Sequence, residues 1–187
     1  MKRYWDTLEI GDALPAIVKK PISRLQIAQF AAASEEFSPL HLDDEHAKAA
    51  GFNSAYAPGL MALGFAEESL RAFASNMRIV SLTGTFQRLI WPGDTLIAKG
   101  LLLRRYQKHD EHRIQFSVWC ENQHHEVVMK GSSIGLLFKN ALHEQKSQSA
   151  VPAISSATHE ALLKKCAHLL NDVSHSHGVA VEHKELV

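Results

Sequence analysis

Glu36 and His41 stand in the stretch "SEEFSPLHLDDEHAKAAGF", residues 34 to 52, with Pro39 between them. A carboxylate and an imidazole that converge on one cleft can hold a water molecule and move its protons, which is general acid–base chemistry. Pro39 disfavours a helical Ser38 and biases it toward an extended conformation, so the chain must bend there rather than prolong a preceding helix. That bend could bring the two side chains together. It could equally leave Glu35 and Glu36 solvated at a helix end while His41 packs locally. A second feature is "YAPGLMALGF". Ala57 has no side-chain oxygen to cap a helix opened by Pro58, and Pro58 has no N–H, which leaves the Gly59 and Leu60 amides as unclaimed donors at a helix N-terminus. Such donors suit an oxygen that becomes negative, and a glycine lets a ligand come close to the backbone. The competing use of Gly59 is tight packing of that helix against a sheet.

These residues need elements to hold them. Residues 13 to 22, "ALPAIVKKPI", read as a short extended segment whose prolines suit an edge or a strand end. Ser23 can cap a helix running to about Ala33. Asp43 or Asp44 can cap a second short helix, "EHAKAA", closed by Gly51. The longest helical signal runs from Pro58 to about Met77, apolar on most faces in its first half. Four strand-like stretches follow, roughly 78 to 88, 94 to 106, 112 to 122 and 125 to 138, separated by turns at "WPGD", "QKHDE" and "NQHH". Helices, one long buried helix and then consecutive antiparallel strands predict an α+β fold in which a curved sheet wraps the helix. The main domain is expected over 1–138, a Ser-, Ala- and Gln-rich linker over 139–157, and a C-terminal helix and tail over 158–187. Leu162, Leu163, Cys166, Leu169 and Leu170 give that last helix an apolar stripe, which must be buried on its own sheet or on a partner.

Composition narrows the function. The 187 residues are 45% hydrophobic, enough for a core without metal or disulfide. Lys plus Arg and Asp plus Glu balance at 20 each, which argues against nucleic-acid and membrane-surface partners. Only Cys120 and Cys166 are present, so free thiols are expected, and with no signal-peptide pattern and no apolar run of transmembrane length the expected address is cytoplasmic. The 12 histidines, His124, His125 and the "HSHG" at 175 to 178 among them, lack Cys or acidic ligands in a fixed frame; no metal site is expected. Trp91–Pro92–Gly93–Asp94 reads as a turn, and Arg88, Arg104 and Arg105 are candidates to meet phosphates.

In order and at these separations, "ASEEFSPLHLDDEHAKAAGF", "APGLMALGF" and "QRLIWPGDTL" resemble the MaoC-like dehydratases, or (R)-specific enoyl-CoA hydratases, of the hot-dog fold, over about residues 5 to 138. The resemblance implies an antiparallel sheet wrapped around one long central helix, with two subunits pairing to make the active sites. It implies reversible addition of water to a trans-2-enoyl thioester of coenzyme A or an acyl carrier in fatty acid metabolism. The thioester is substrate, and no cofactor is implied. His41 matches the family's histidine and Gly59 its glycine, the amide that polarises the thioester carbonyl. Glu36 takes the place of the family's aspartate and Ser38 that of its asparagine, while Pro58 replaces a histidine that often precedes the glycine. Ser38, Pro58 and Leu60 are the expected substrate contacts beside the catalytic Glu36, His41 and Gly59. Glutamate reaches one C–C bond farther than aspartate, and a misplacement of ~1 Å at a reacting centre can cost on the order of 100-fold in rate. Two other functions suit the same fold. An acyl-CoA thioesterase would need no His41, and a weakened acyl-thioester-binding or assembly protein would keep only the cleft.

Overall fold

In the computed structural model, residues 1–149 are described together with Glu160, Ala161 and Lys164. Ser23 begins helix α1 (Arg24–Ser34) through a reciprocal capping box: the Gln26 N–H donates to Ser23 Oγ at 3.2 Å, and the Ser23 N–H donates to Gln26 Oε1 at 2.9 Å. The helix ends at Glu35, which adopts a left-handed φ of 55°, and the Glu36 N–H donates back to the Ala31 carbonyl at 3.0 Å. Ser38 is extended, with ψ 128°, as the following proline demands, and Pro39 is the first residue of a single-turn helix α2 (Pro39–Leu42). Asp43, rather than Asp44, caps α3 (Asp44–Ala49), its Oδ1 accepting from the Glu45 and His46 amides. Gly51, at φ 92°, turns the chain out of it.

The long helix α4 (Leu60–Phe73) buries Met61, Ala62, Ala66, Ser69, Leu70 and Phe73, a stripe at helical spacing. It stops short of the expected Met77 because the N-terminal arm captures the chain there: the Ser75 N–H donates to the Met1 carbonyl at 2.9 Å and the Arg3 N–H to Asn76 Oδ1 at 3.0 Å. Five antiparallel strands follow the order β1-β3-β4-β5-β2: β1 (Ile17–Val18), β2 (Arg78–Phe86), β3 (Ile97–Lys108), β4 (Glu111–Glu121) and β5 (Val127–Leu136). Helix α4 touches all of them, so the sheet curls around it. Alternate residues of β4, Ile114, Phe116, Val118 and Cys120, are fully buried on the helix side, and Phe116 meets Phe73 edge-on at 5.2 Å. The Cys120 thiol donates to the Ala62 carbonyl at 3.2 Å, and burial pushes its pKa up to about 12, so it is a packing group rather than a nucleophile. Cys166 and its leucine stripe lie outside the described residues.

By its contacts the chain divides into Met1–Glu144 and Gln145–Val187. Of the second unit, residues 145–149 and Glu160, Ala161 and Lys164 are described, all helical. The stretch expected to start a linker instead starts a helix, α5 (Ala141–Ser149). Its Ala, Leu, Glu, Gln and Lys residues are good helix formers, and Asn140 Oδ1 accepts the His143 N–H at 3.0 Å as an N-cap. Glu144 is then held by Lys2 Nζ and Tyr4 Oη, both at 2.9 Å, a link between positions near opposite ends of the first unit.

His112 lies edge-on to Trp5 at 5.2 Å and to His143 at 5.7 Å, with its Nδ1 buried and without a partner among the described residues. Burial, then the charges of His143 and Lys139, lower its pKa against an opposing pull from Asp6. A depressed folded-state pKa means that the unfolded chain binds this proton first. The stability from neutral His112 is therefore complete above the ordinary histidine pKa and is lost as pH falls through the folded value. Thermal melts between pH 8 and pH 5 are expected to show a falling midpoint, and His112→Phe should flatten that slope; an unchanged slope would remove His112 as its source.

Candidate functional site

Two contacts fasten the His41 turn to the chain entering α4. The Tyr56 N–H donates to the Leu40 carbonyl at 3.2 Å, and His41 Nδ1 lies 2.7 Å from the Tyr56 carbonyl. A carbonyl only accepts, so Nδ1 carries the proton, and in the neutral ring Nε2 is left as the basic atom. Among the described residues Nε2 has no hydrogen-bond partner. The imidazole stands edge-on to Tyr56 at 5.1 Å, and Tyr56 in turn packs against Phe52 at 4.9 Å and Trp91 at 6.1 Å. This aromatic collar fixes the plane of the ring.

Asp44, which does not cap α3, holds the next piece of chain. Its carboxylate accepts the Ala55 N–H at 2.8 Å and takes Arg24 on both oxygens at 2.8 Å. The Ala55 amide first, then Arg24, keep its carboxyl below the usual range. The Ala57 N–H donates to the Ile90 carbonyl at 2.8 Å. Trp91–Asp94 forms the expected turn: the Asp94 N–H donates to the Trp91 carbonyl at 3.0 Å, and Gly93 supplies a φ of 96°.

Pro58 is buried at the mouth of α4, and Gly59 is its N-cap with no side chain bonded across it. The Met61 and Ala62 amides donate to the Pro58 and Gly59 carbonyls at 3.0 Å each. Among the described residues the Gly59 and Leu60 amides find no acceptor, so the helix presents two unclaimed donors at its first turn, shortly after Tyr56 in the chain. Gly59 is also a packing site, because a Cβ there would stand 2.7 Å from Cγ of Phe86.

Glu36 and Ser38 are on the bend leading to His41 but make no hydrogen bond to its ring. Glu36 is exposed, and its carboxylate has no hydrogen-bond or ion-pair partner among the described residues. The Ser38 carbonyl accepts the His41 N–H at 3.0 Å, closing the turn, while its hydroxyl caps nothing. The structure thus ties His41 to Tyr56, which precedes Gly59 and Leu60 in the chain, and makes no hydrogen bond or ion pair between Glu36 and the imidazole. The described pockets are lined by none of Glu36, His41 and Gly59. Several large apolar side chains on the segments that carry these residues are exposed in the single chain: Phe37, Leu42, Leu60, Phe86 and Leu89.

Of the three arginines, Arg104 donates to Gln115 and Arg105 to the Trp5 carbonyl, both at 2.7 Å, whereas Arg88 pairs with half-buried Glu126 at 3.3 Å and lines a groove shared with Trp91. Among the described residues no cluster of three or more His, Cys, Asp or Glu could hold a metal ion, and no helix is long and apolar enough to cross a membrane. Tyr56 and Phe86 escape sequence reasoning, and Asp44, read there as a possible cap, holds Ala55 instead. The recurring aromatics Phe52 and Tyr56 ahead of the helix are the one signal that could have pointed to Tyr56.

A curled antiparallel sheet around a single long helix is the hot-dog fold. An (R)-hydratase from A. caviae involved in PHA biosynthesis shares it at a TM-score of 0.63 with 21% identity, over 70% of this chain and 98% of that one. A MaoC-like dehydratase from Rhodospirillum rubrum aligns at a TM-score of 0.64 with 20% identity, over 74% of this chain and 98% of that one. Residues 7–124 match the family model described as a MaoC like domain, and the chain belongs to that family. Among characterised relatives, a mitochondrial 3-hydroxyacyl-[acyl-carrier-protein] dehydratase of Arabidopsis thaliana is 25% identical over 142 residues, 76% of this chain and 84% of that protein.

Proposed function

We propose that the protein is a hydratase/dehydratase of acyl thioesters, adding water reversibly to a trans-2-enoyl thioester of coenzyme A or an acyl carrier. The observation that carries this reading is the 2.7 Å contact of His41 Nδ1 with the Tyr56 carbonyl, which leaves Nε2 as the basic atom of the ring and ties that ring to the chain just ahead of the unclaimed Gly59 amide. Family membership and the 3-hydroxyacyl dehydratase relative support it. In this mechanism the thioester oxygen sits on the Gly59 and Leu60 amides, and Pro58 shapes the approach to them. His41 Nε2 and the Glu36 carboxylate share the attacking water, oriented from the Ser38 side. The water oxygen bonds to the β-carbon, one of its protons passes to the His41–Glu36 pair, and the alkene electrons move onto the thioester oxygen. The amides stabilise that charge. Return of a proton to the α-carbon restores the carbonyl, and dehydration is the same sequence reversed.

A second copy of the chain fits this exposed apolar surface. Phe37, Leu42, Leu60, Phe86 and Leu89 are exposed, Phe86 lies against Gly59, and β2 is an edge strand with an unpaired ladder. We therefore read the working form as a homodimer or a higher homo-oligomer. Among solved structures of the fold, one is a complex described as ChsH1-ChsH2 from Mycobacterium tuberculosis, at a TM-score of 0.60 and 18% identity.

Crotonyl-CoA tests the activity. Loss of the enoyl absorbance without release of free thiol is the expected result. Thiol release would mark a thioesterase, and saturable binding with neither change would mark a protein that only holds the thioester.

A further inference from the structure

Gly59 has φ −58° and ψ −28°, angles that any residue adopts, so backbone conformation gives no reason for a glycine there. A neighbour does. A Cβ on residue 59 would lie 2.7, 2.8 and 3.0 Å from Cγ, Cδ1 and Cδ2 of Phe86, well inside the separation of ~3.5–4.0 Å at which carbon atoms attract. The fit is reciprocal. A Cβ on Gly84, two residues before Phe86 on β2, would lie 2.9 Å from Cδ1 of Leu63, one turn beyond Gly59 on α4. A knob from the strand enters a gap on the helix, and a knob from the helix enters a gap on the strand. Phe86 stands opposite buried Met129 at the end of the edge strand, and although its ring lies against Gly59, 45% of the residue remains exposed, next to half-exposed Leu60.

We infer that Phe86 is a positioning residue of this site: its ring sets the first turn of α4 against β2, and with it the Gly59 and Leu60 amides, while its open side forms an apolar wall for a flat, conjugated acyl group. The inference rests on the hydratase reading above. It assigns the identity of residue 59 to a contact rather than to a backbone angle. The enoyl thioester is planar through its conjugated C=C–C=O, and a rigid ring beside Gly59 limits how that plane can lie.

The test uses the full chain as Phe86→Ala, Phe86→Tyr, Gly59→Ala and the Gly59→Ala/Phe86→Ala double variant, with crotonyl-CoA as probe. Phe86→Ala is expected to lower kcat by at least about 10-fold with KM changed less than about 3-fold. Phe86→Tyr should stay within about 3-fold of wild type, since the contact is at the Cγ end of the ring and the added hydroxyl is at the other. Gly59→Ala should lose about 100-fold or more, and removing the ring in the double variant should recover part of that loss. A wild-type kcat for Phe86→Ala, or losses that simply multiply in the double variant, would overturn the inference. If wild type turns over no enoyl thioester, the hydratase reading fails on its own, and the thermal midpoints decide the contact. Non-additive shifts keep it, and additive shifts end it.

Discussion

Replacing His41 with alanine is expected to lower kcat for crotonyl-CoA hydration by about 10²–10⁴-fold, the range that a positioned acid–base group contributes. Part of any loss is structural, since alanine gives up the 2.7 Å bond to the Tyr56 carbonyl and the edge contact at 5.1 Å. Those two contacts are worth about 1 kcal/mol each. A rate loss of 10²–10⁴-fold corresponds to ~3–5 kcal/mol, so loosening alone falls short of it. Asparagine separates the two contributions. Its amide nitrogen occupies nearly the place of Nδ1 and can still donate to the Tyr56 carbonyl, but nothing replaces Nε2. His41→Asn should therefore be as slow as His41→Ala while melting close to wild type, as read by steady-state kinetics and differential scanning calorimetry. A His41→Asn enzyme with the wild-type rate would exclude the imidazole from the chemistry.

Glu36→Gln is the companion experiment, with an expected loss of about 100-fold or more in kcat if the carboxylate shares the water. Because Glu36 is exposed and its side chain has no partner among the described residues, the melting midpoint should not move, and the rate loss can be read as function without correction. Glu36→Asp tests the reach of the longer side chain and should keep the rate within about 10-fold. Glu35→Gln is the control for charge alone, since Glu35 is also exposed and turns the chain at φ 55°. Its rate should stay near wild type. Full activity in Glu36→Gln would leave water activation to His41 without a carboxylate partner.

The elements of this protein were legible where local chemistry dictates them. Ser23 ahead of a helix, Pro39 after Ser38, Gly51 after a short helix and Gly93 in the Trp91–Asp94 turn each act on the chain within a few residues of themselves, and each does in the structure what its type predicts. Strand β4 shows the period that makes a strand legible, alternating half-buried and buried positions from Arg113 to Glu121. What stayed hidden depends on distant partners. Helix α4 ends before Met77 because Met1 and Arg3 bond to Ser75 and Asn76, and Glu144 of α5 is held by Lys2 and Tyr4.

The candidate site divides along the same line. Residue types and order alone marked His41, Gly59 and the bend between Glu36 and His41, since a proline and a helix start without a cap act locally. Only the folded chain decided that the Tyr56 carbonyl orients the imidazole, that Asp44 holds Ala55 to Arg24 instead of capping a helix, and that Phe86 is the reason residue 59 is glycine. Hydrogen bonds and van der Waals contacts act over a few ångströms of space whatever the distance along the chain, and spacing in a sequence carries no record of which segments fold into that range.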